Sequence, residues 1–315
     1  MRMISKKLVI IGAGPVGSYL GIKLKQIGFD DFIILEARDS IGGILRYLKH
    51  VDLFHPDTGE RIKAFEFLSW LRDEMSRLDV EALTETTAID IKKGFKIICV
   101  NPANGVMVIN AEKVIVATGG KEVNQYDLRI VGSRPAGVFT ALLAVKLMDI
   151  FGKRIGRNIV IYGHNELVRE TIIRAKEMGS NIKYIVTNIP SKEISEEIKK
   201  IADEEGIEIL DNFIVSRIYG LKRLAGIEVR SLNTTESQKI ECDTLVLSHG
   251  FMPDLTIINK VGAEIDFNKL EPKRNEYFET TIKNLFVAGL AAQRKIFLEE
   301  IFDGTQRLLD RLRTS

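Results

Sequence analysis

Three glycines near the amino terminus, Gly12, Gly14 and Gly17, separate a strand-like from a helix-like segment in the spacing G-x-G-x-x-G. In such a turn the first glycine permits a tight bend, the second lets the backbone approach a pyrophosphate, and the third lets helix and strand pack closely. The helix N-terminus offers N–H groups and a positive dipole to the phosphates. Glu36 ends the next predicted strand, where its carboxylate can accept from ribose hydroxyls. The segment predicts a dinucleotide site; the alternative is a glycine-rich turn that binds nothing.

A second segment of the same kind, NIVIYGHNELV at 158–168, contains one glycine, Gly163. Asn165 occupies the position of the second glycine, where we expect a side chain to project toward the pyrophosphate. Val168 occupies the position of the third, which close helix packing requires. Glu166 adds a carboxylate that suits the helix N-terminus but competes with a phosphate for the same N–H groups. These changes weaken anion binding at the second turn.

The strand after this turn ends in IVTNIPSK, without the acid that binds the ribose in NAD-dependent folds. Asn188, Ser191 and Lys192 are candidates for contacting the 2′-phosphate of NADP, and the alternative is that they are ordinary surface residues. NAD(P)H is therefore a doubtful ligand. If the second site exists, it consists of Gly163, His164, Asn165, Glu166, Asn188 and Lys192.

The length and composition predict two folded domains with small-molecule or protein partners. A chain of 315 residues corresponds to two domains of roughly 150 residues each. Its 45 basic and 43 acidic residues are spread along the chain, which gives no reason to expect nucleic acid or an anionic membrane as partner. Glycines interrupt the apolar start, and no stretch reaches the roughly 18 apolar residues of a membrane span. Two cysteines outside any C-x-x-C pair suit the reducing cytoplasm, where we expect the protein to act.

The segment after Glu36 resembles the flavoprotein superfamily that includes thioredoxin reductase and glutathione reductase. The superfamily pattern for FAD is an acid, a basic residue two positions later and a Gly-Gly pair, which Glu36, Arg38, Gly42 and Gly43 match. VIVATGG is similar to its A-T-G strand beside the flavin, and SHGFMPD to the segment that returns to the flavin domain. By this resemblance the FAD-binding residues are Gly12, Gly14, Pro15, Val16, Gly17, Glu36, Ala37, Arg38, Gly42, Gly43, Ile44, Ala88, Ala117, Thr118, Gly119, Gly289 and Leu290.

Two departures from the superfamily pattern affect the expected chemistry. NLFVAGL ends in Leu290, where the superfamily usually has an aspartate that binds the flavin ribityl chain. Neither Cys99 nor Cys242 is placed to form a redox pair, so we expect no disulfide reduction by the thioredoxin reductase mechanism. RIVGSRPAGVFTA, from Arg129, resembles FAD-binding subunits of dye-linked amino-acid dehydrogenases, sarcosine oxidase alpha-type subunits and flavoproteins linked to glycerol-3-phosphate dehydrogenases. This branch implies a partner subunit and an oligomer.

The predicted fold class is α/β, with two Rossmann-like three-layer dinucleotide-binding domains, the second inserted in the first. We expect an FAD domain made of residues 1–125 and 250–315 and an NAD(P)-binding-like domain at 126–249. Within the second domain, PAGVFTALLAVKLMDIFG has the composition of an apolar helix.

In a flavin enzyme the cofactor itself carries out the hydride or electron transfer, so the sequence gives few signs of catalytic residues. ILRYLKHVDLFHPDTGER holds His50 and His55, weak candidates for a base near the flavin; the alternative is that both are surface loop residues. No metal-ligand cluster is visible in the sequence. The favoured hypothesis is an FAD-dependent oxidoreductase that passes electrons to a partner or an external acceptor. The alternatives are a self-contained NAD(P)H-dependent reductase and a non-catalytic subunit that binds FAD or an adenine nucleotide.

Overall fold

The computed structural model describes residues 2–298 and 301–313. The chain divides into two compact units: the first comprises Met1–Leu48, Asp52–Lys121 and Phe251–Ser315, and the second comprises Lys49–Val51 and Glu122–Gly250. The predicted α/β architecture with an inserted second Rossmann-like domain is confirmed. Residues 49–51, 122–125 and 250 group with the second unit, although the sequence boundaries assigned them to the first. Within the second unit, Val123 N donates a hydrogen bond to Gly250 O (3.0 Å), which holds its two ends together.

A mostly parallel sheet organises the first unit. Its path is β5 (Ala82–Leu83), β2 (Phe32–Leu35), β1 (Arg2–Ile11), β8 (Gly105–Val116), β7 (Lys96–Asn101) and β6 (Thr87–Lys92), with β22 (Leu285–Val287) also paired to β8. β1 pairs in parallel with β2 and β8, so the carboxyl ends of these strands meet at one edge. Shorter strands are β3 (Asp52–Phe54), β4 (Arg61–Lys63), β9 (Gly120–Glu122), β19 (Phe251–Pro253), β20 (Ile265–Asp266) and β21 (Glu271–Pro272).

The helices of the first unit are α1 (Pro15–Gln26), α2 (Ala64–Arg77), α6 (Thr256–Val261) and α7 (Thr305–Arg313), with 3₁₀ helices at Gly43–Tyr47 and Gly289–Ala291. α2 buries Phe67, Leu71 and Met75, which recur at helical spacing along one face. Among the helices of residues 2–298 and 301–313, none is long and apolar enough to cross a membrane.

The second unit contains a parallel sheet and a mixed, mostly antiparallel one. The parallel sheet runs β11 (Val138–Thr140), β18 (Thr244–Ser248), β12 (Asn158–Gly163), β13 (Asn181–Val186) and β14 (Glu208–Leu210). The mixed sheet runs β10 (Val131–Gly132), β15 (Phe213–Gly220), β16 (Leu224–Ser231) and β17 (Ser237–Ile240), with β10 parallel to β15 and the other pairs antiparallel. One buried cluster joins both sheets and includes Val160, Leu245, Val215 and Ile227. The helices are α3 (Ala141–Asp149), α4 (Leu167–Glu177) and α5 (Glu196–Glu205), with a 3₁₀ helix at Ser191–Glu193.

A buried carboxylate explains why Lys49–Val51 groups with the second unit. Glu170 on α4 has no exposed surface and accepts hydrogen bonds from the backbone N–H groups of Lys49 (3.4 Å) and His50 (2.8 Å). Arg169 of the same helix donates from Nη1 to His50 O. The segment is therefore held to α4 through its backbone, which no sequence pattern reveals.

The apolar segment 135–152 differs from its predicted form. Val138–Thr140 is a strand parallel to β18, and the helix α3 begins only at Ala141. Gly137 explains the difference: its φ is +105°, and a Cβ there would overlap Asp243 O. Residue 137 therefore cannot lie in a right-handed helix, and residues 138–140 continue as a strand beside β18 before α3 begins.

We predict that Gly163→Ala lowers the free energy of unfolding by about 3 kcal/mol, because backbone strain and steric overlap act together. Gly163 has φ +142°, and a Cβ there would overlap Ser248 O. Gly179→Ala is the matched control, since Gly179 has φ +71° but a Cβ there meets nothing within 4 Å. The control should lose about 1 kcal/mol, the strain of the left-handed backbone alone. Urea unfolding measures both; equal losses would contradict the packing explanation.

Candidate dinucleotide sites at two helix N-termini

The first glycine turn leads from β1 into α1 and is open at one position. Gly12 has φ +110°, and a Cβ there would overlap Ala117 O. A Cβ at Gly17 would overlap Gly12 O, so helix and turn are in direct contact. A Cβ at Gly14, by contrast, meets nothing within 4 Å. At Gly12 and Gly17 the backbone is packed against other protein atoms, whereas beside Gly14 there is open space. A pyrophosphate requires such a space next to the second glycine.

The N-terminus of α1 lacks the groups that usually satisfy helix N–H donors. Gly14 is the N-cap residue and forms no side-chain capping hydrogen bond, and Pro15 opens the helix. The first turn contains no acidic residue. Because first-turn N–H groups have no partner within the helix, those of Val16 and Gly17 are available to an anion.

Glu36 is already oriented by the backbone of the turn. Its side chain is 7% exposed, and its two oxygens accept hydrogen bonds from Ala13 N and Arg38 N, both at 2.9 Å. Each carboxylate oxygen has a second lone pair, so the group can still accept from ribose hydroxyls. Arg38 in turn donates from Nη1 to the Tyr47 hydroxyl (2.5 Å).

The Gly42–Gly43 pair lies directly on the turn. Gly42 and Gly43 have φ values of +103° and +52°, and Gly42 N donates to Ala13 O (2.7 Å). A Cβ at Gly43 would lie 3.0 Å from Gly14 Cα, which is closer than most real Cβ contacts. Glycine at this position therefore lets the loop through Ile44 approach the phosphate position.

A cavity of about 420 Å³ in the first unit adjoins these groups. It brings together Gly12, Glu36, Ala37, Arg38, Ala88 and Thr118, which the resemblance implied, with Asp254, Thr86, Thr256, Ile257 and Lys260. The last three, on α6, and Thr86 carry no sequence signal. Within residues 2–298 and 301–313, the buried Oγ1 of Thr118 has no hydrogen-bond partner. A buried hydroxyl without a partner is costly, so it indicates a ligand at this point. The donors, the acceptor Glu36 and the cavity fit the nucleotide part of FAD.

The carboxyl-terminal flavin segment reaches the start of α1. Gly289 has φ +61°, and a Cβ there would lie 2.8 Å from Val16 Cγ2. Leu290, in the 3₁₀ helix Gly289–Ala291, is 7% exposed and has no polar side-chain atom. Its side chain offers no hydrogen bond to a ribityl chain.

Asn165, in the second turn, points inward. Its side chain is 1% exposed, and its Oδ1 accepts hydrogen bonds from Ser248 Oγ and from Leu167 N (3.2 Å). The expectation that Asn165 projects toward the pyrophosphate is therefore wrong. The reason is Ser248, a buried donor 83 residues further along the chain. The bond to Leu167 satisfies one of the first-turn N–H groups of α4.

Acidic and buried groups surround the N-terminus of α4. Glu166 is the N-cap residue, and Glu170 lies in the first turn. Val168 has no exposed surface. His164 is 7% exposed, and burial lowers its pKa despite the opposing charge of Glu193, so it contributes no positive charge at neutral pH. This N-terminus is less favourable for a phosphate than that of α1.

The end of β13 adds little to the second site. Asn188 and Lys192 are exposed, and Ser191 N donates to Asp211 Oδ2 (2.8 Å). A carboxylate is thus present beside the segment, but it is engaged with the backbone. Binding of a nicotinamide dinucleotide by these residues remains a prediction.

The protein-family model for pyridine nucleotide-disulphide oxidoreductases matches residues 6–300. The chain belongs to this family. Its proteins are FAD-dependent oxidoreductases, so the prediction of FAD as cofactor is confirmed.

Among curated members of the family, ferredoxin–NADP reductase 2 of Bacillus velezensis is 21% identical over 291 residues, covering 90% of this chain and 83% of that protein. Bacilliredoxin reductase Bdr of Bacillus subtilis is 25% identical over 320 residues, covering 94% of each chain. The solved structure of bacillithiol disulfide reductase Bdr (YpdA) from Bacillus cereus matches with a TM-score of 0.73 at 18% identity, covering 98% of this chain and 99% of that one. This structural likeness shows the fold.

The candidate histidines of this family member lie in different units. His55 Nδ1 accepts from Asp57 N (3.2 Å), and its ring packs edge-on against Trp70 at 4.6 Å between ring centres. His50, in the second unit, is anchored through its backbone by Glu170. These contacts give His55 a structural role, and a role for either residue as a base remains a prediction.

The two cysteines are buried in different units. Burial raises the pKa of Cys99 to about 11 and that of Cys242 to about 12. A thiol with so high a pKa is almost entirely protonated at neutral pH and is a poor nucleophile.

We predict that the folded protein does not react with a colorimetric thiol reagent at pH 8, because both thiols are buried and protonated. Unfolding in guanidinium should release both thiols for reaction. A thiol that reacts rapidly in the folded protein would contradict this description of Cys99 and Cys242.

We predict that Gly14→Ala lowers the affinity for FAD at least about tenfold and leaves the free energy of unfolding of the FAD-free protein within about 0.5 kcal/mol. Gly14 has φ −67°, which alanine adopts readily, and the added methyl group meets only the ligand position. FAD titration of the FAD-free protein, followed by flavin fluorescence, measures the affinity. Gly105→Ala, on β8, is the control: a Cβ there meets nothing within 4 Å, so the variant should lose only about 1 kcal/mol to the strain of its φ of +65° and bind FAD normally. Unchanged FAD affinity in Gly14→Ala would contradict the assigned phosphate position.

Proposed function

We propose that the protein is an FAD-dependent oxidoreductase whose flavin takes electrons from a small-molecule substrate and passes them to a partner subunit or an external acceptor. The observation that carries this proposal is the contrast between two helix N-termini. α1 begins with an open glycine and no acid, whereas α4 is capped by Asn165 and has Glu166 at its N-cap. A nicotinamide dinucleotide is therefore a poor electron donor for this chain.

In this proposal the protein binds and orients the flavin, which supplies the electron transfer. The N–H groups of Val16 and Gly17 hold the pyrophosphate, with Gly14 leaving it space. Glu36 binds the ribose, and Thr118 provides a hydroxyl beside the nucleotide. Because both thiols are buried, the reaction does not use a disulfide of the chain itself.

A second candidate is a self-contained NAD(P)H-dependent reductase. Two observations favour it: curated relatives include a ferredoxin–NADP reductase and an NADH oxidase of Methanocaldococcus jannaschii. In addition, the inward orientation of Asn165 removes the steric objection to a pyrophosphate beside Gly163. The carboxylate of Glu166 at the N-terminus of α4 still disfavours a phosphate at this position.

The place of this chain within the family is also part of the proposal. A kinship with dye-linked dehydrogenase subunits, a partner subunit, an oligomer and a cytoplasmic location remain predictions from the resemblance. The non-catalytic alternative predicts a bound flavin that neither a substrate nor a nicotinamide nucleotide reduces.

Anaerobic mixing of the FAD-loaded protein with NADH or NADPH at about 1 mM, the upper end of usual KM values, separates the two candidates. We predict that the flavin absorbance falls at less than about 0.1 s⁻¹, roughly a hundredth of a typical turnover rate. Dithionite should bleach the same sample fully, which shows that the flavin is reducible. Bleaching by either nucleotide at turnover rates would establish the second candidate instead.

Glu166→Gln tests the physical reason for the slow reduction. Removing this carboxylate should raise the residual affinity for the nucleotide about threefold, the usual size of a charge effect at a helix end. Glu177→Gln, at the opposite end of α4, is the matched control and should leave the affinity unchanged. Equal behaviour of the two variants would contradict the electrostatic explanation.

A further inference from the structure

A second cavity, of about 280 Å³, lies beside β11 in the second unit, and no residue of the turn at 163–168 lines it. Its apolar wall is formed by Val138 and Phe139 of β11 and by Leu247 of β18. Its volume is close to the lower limit for small-molecule sites, so it suits a ligand of the size of a single aromatic ring with its substituents. Nothing in the FAD site or the second turn accounts for this cavity.

The rim of the cavity is positively charged. Arg134 and Tyr126 are both exposed, and the guanidinium carbon of Arg134 lies 4.5 Å from the centre of the Tyr126 ring, a cation–π contact at the rim. Within the described part of the chain, no carboxylate forms an ion pair with Arg134. A guanidinium held at a cavity without a counter-ion attracts a carboxylate, which it can bind through two parallel hydrogen bonds.

A buried carboxamide adds a second polar group to the cavity. Gln125 is 9% exposed, and its Nε2 donates a long hydrogen bond to Ser133 O (3.4 Å). Within residues 2–298 and 301–313, its Oε1 accepts no hydrogen bond. The backbone around Gln125 is fixed, since Ile130 N donates to Gln125 O (3.1 Å). This oxygen is solvent-accessible, so a ligand that carries an N–H or O–H group can donate to it.

Arg134 is the charged residue among those that line the cavity, and two carboxylates of the same unit bond to other groups. Glu122 accepts hydrogen bonds from Thr140 Oγ1 and Leu142 N, both at 2.6 Å, and so caps the N-terminus of α3. Burial raises its pKa, although these hydrogen bonds oppose the change. Asp127 accepts from Asn124 N (2.9 Å) within the same turn. Both acids are engaged elsewhere, which leaves Arg134 as the charged group at the cavity rim.

We propose that this cavity binds a small organic acid with a flat apolar body and an N–H or O–H group. Its carboxylate pairs with Arg134, its body packs against Phe139 and Leu247, and its donor meets Gln125. This site shares no lining residue with the cavity of the FAD site, and its existence does not depend on which donor reduces the flavin.

Isothermal titration of the FAD-loaded full-length protein with 3-hydroxybenzoate and 3-hydroxybenzamide tests the proposal. The two probes have nearly the same shape and the same hydroxyl donor, and the amide replaces the negatively charged carboxylate with an uncharged group that also carries N–H donors. We expect the acid to bind about tenfold tighter than the amide, because a charge-assisted pair is lost with the amide. In Arg134→Gln this preference should disappear, since the acid should bind about tenfold more weakly.

Arg230→Gln is the matched control, because Arg230 is an exposed arginine of the same unit that does not line the cavity. It should bind both probes as the unaltered protein does, and thermal melting should show that both variants fold. Binding of neither probe, equal binding of acid and amide, or an unchanged affinity for the acid in Arg134→Gln would overturn the proposal. Each of these readouts is independent of flavin reduction, so failure here is distinct from failure of the proposed function.

Discussion

The first turn of an α-helix presents N–H groups that the helix itself cannot satisfy, and the two units of this protein satisfy them differently. At α1 the chain provides no side-chain cap, so the first-turn N–H groups beside Gly14 are open to an anionic ligand. At α4 the chain provides Asn165, whose Oδ1 accepts from Leu167 N. The other residues of the FAD site are arranged around this uncapped turn. Each contacts the turn or lines its cavity: Glu36, the Gly42–Gly43 pair and Thr118.

The first site could be predicted from sequence because its determinants are local. Gly12, Gly14 and Gly17 lie close together where β1 turns into α1, and their spacing is sufficient to predict the turn. The second turn could be predicted only in part. The orientation of Asn165 is set by Ser248, and the attachment of residues 49–51 is set by Glu170, both of which are distant in the sequence. The strand at Val138–Thr140 was also missed, because an apolar segment of this composition fits a helix as well as a buried strand.

Membership of the pyridine nucleotide-disulphide oxidoreductase family fixes the cofactor and the fold but not the electron donor. The second unit retains the strand, the tight turn at Gly163 and the helix, while Asn165 Oδ1 accepts hydrogen bonds from Leu167 N of the turn and from Ser248 Oγ of β18. A Rossmann-type unit can therefore keep its fold when a side chain of the same unit, here Asn165, accepts the hydrogen bond of a first-turn N–H group. In the same unit, the cavity at Arg134 gives the inserted domain a separate means of binding a small molecule.

The most direct test of this account compares both helix N-termini in one sample. Titration of the isotope-labelled, FAD-free protein with ADP, the fragment that FAD and NAD share, can be followed through backbone amide resonances. The account predicts that ADP shifts the resonances of Gly14, Val16 and Gly17 and leaves those of Leu167 and Val168 in place. Shifts of equal size at Leu167 and Val168, at the same ADP concentration, would contradict it.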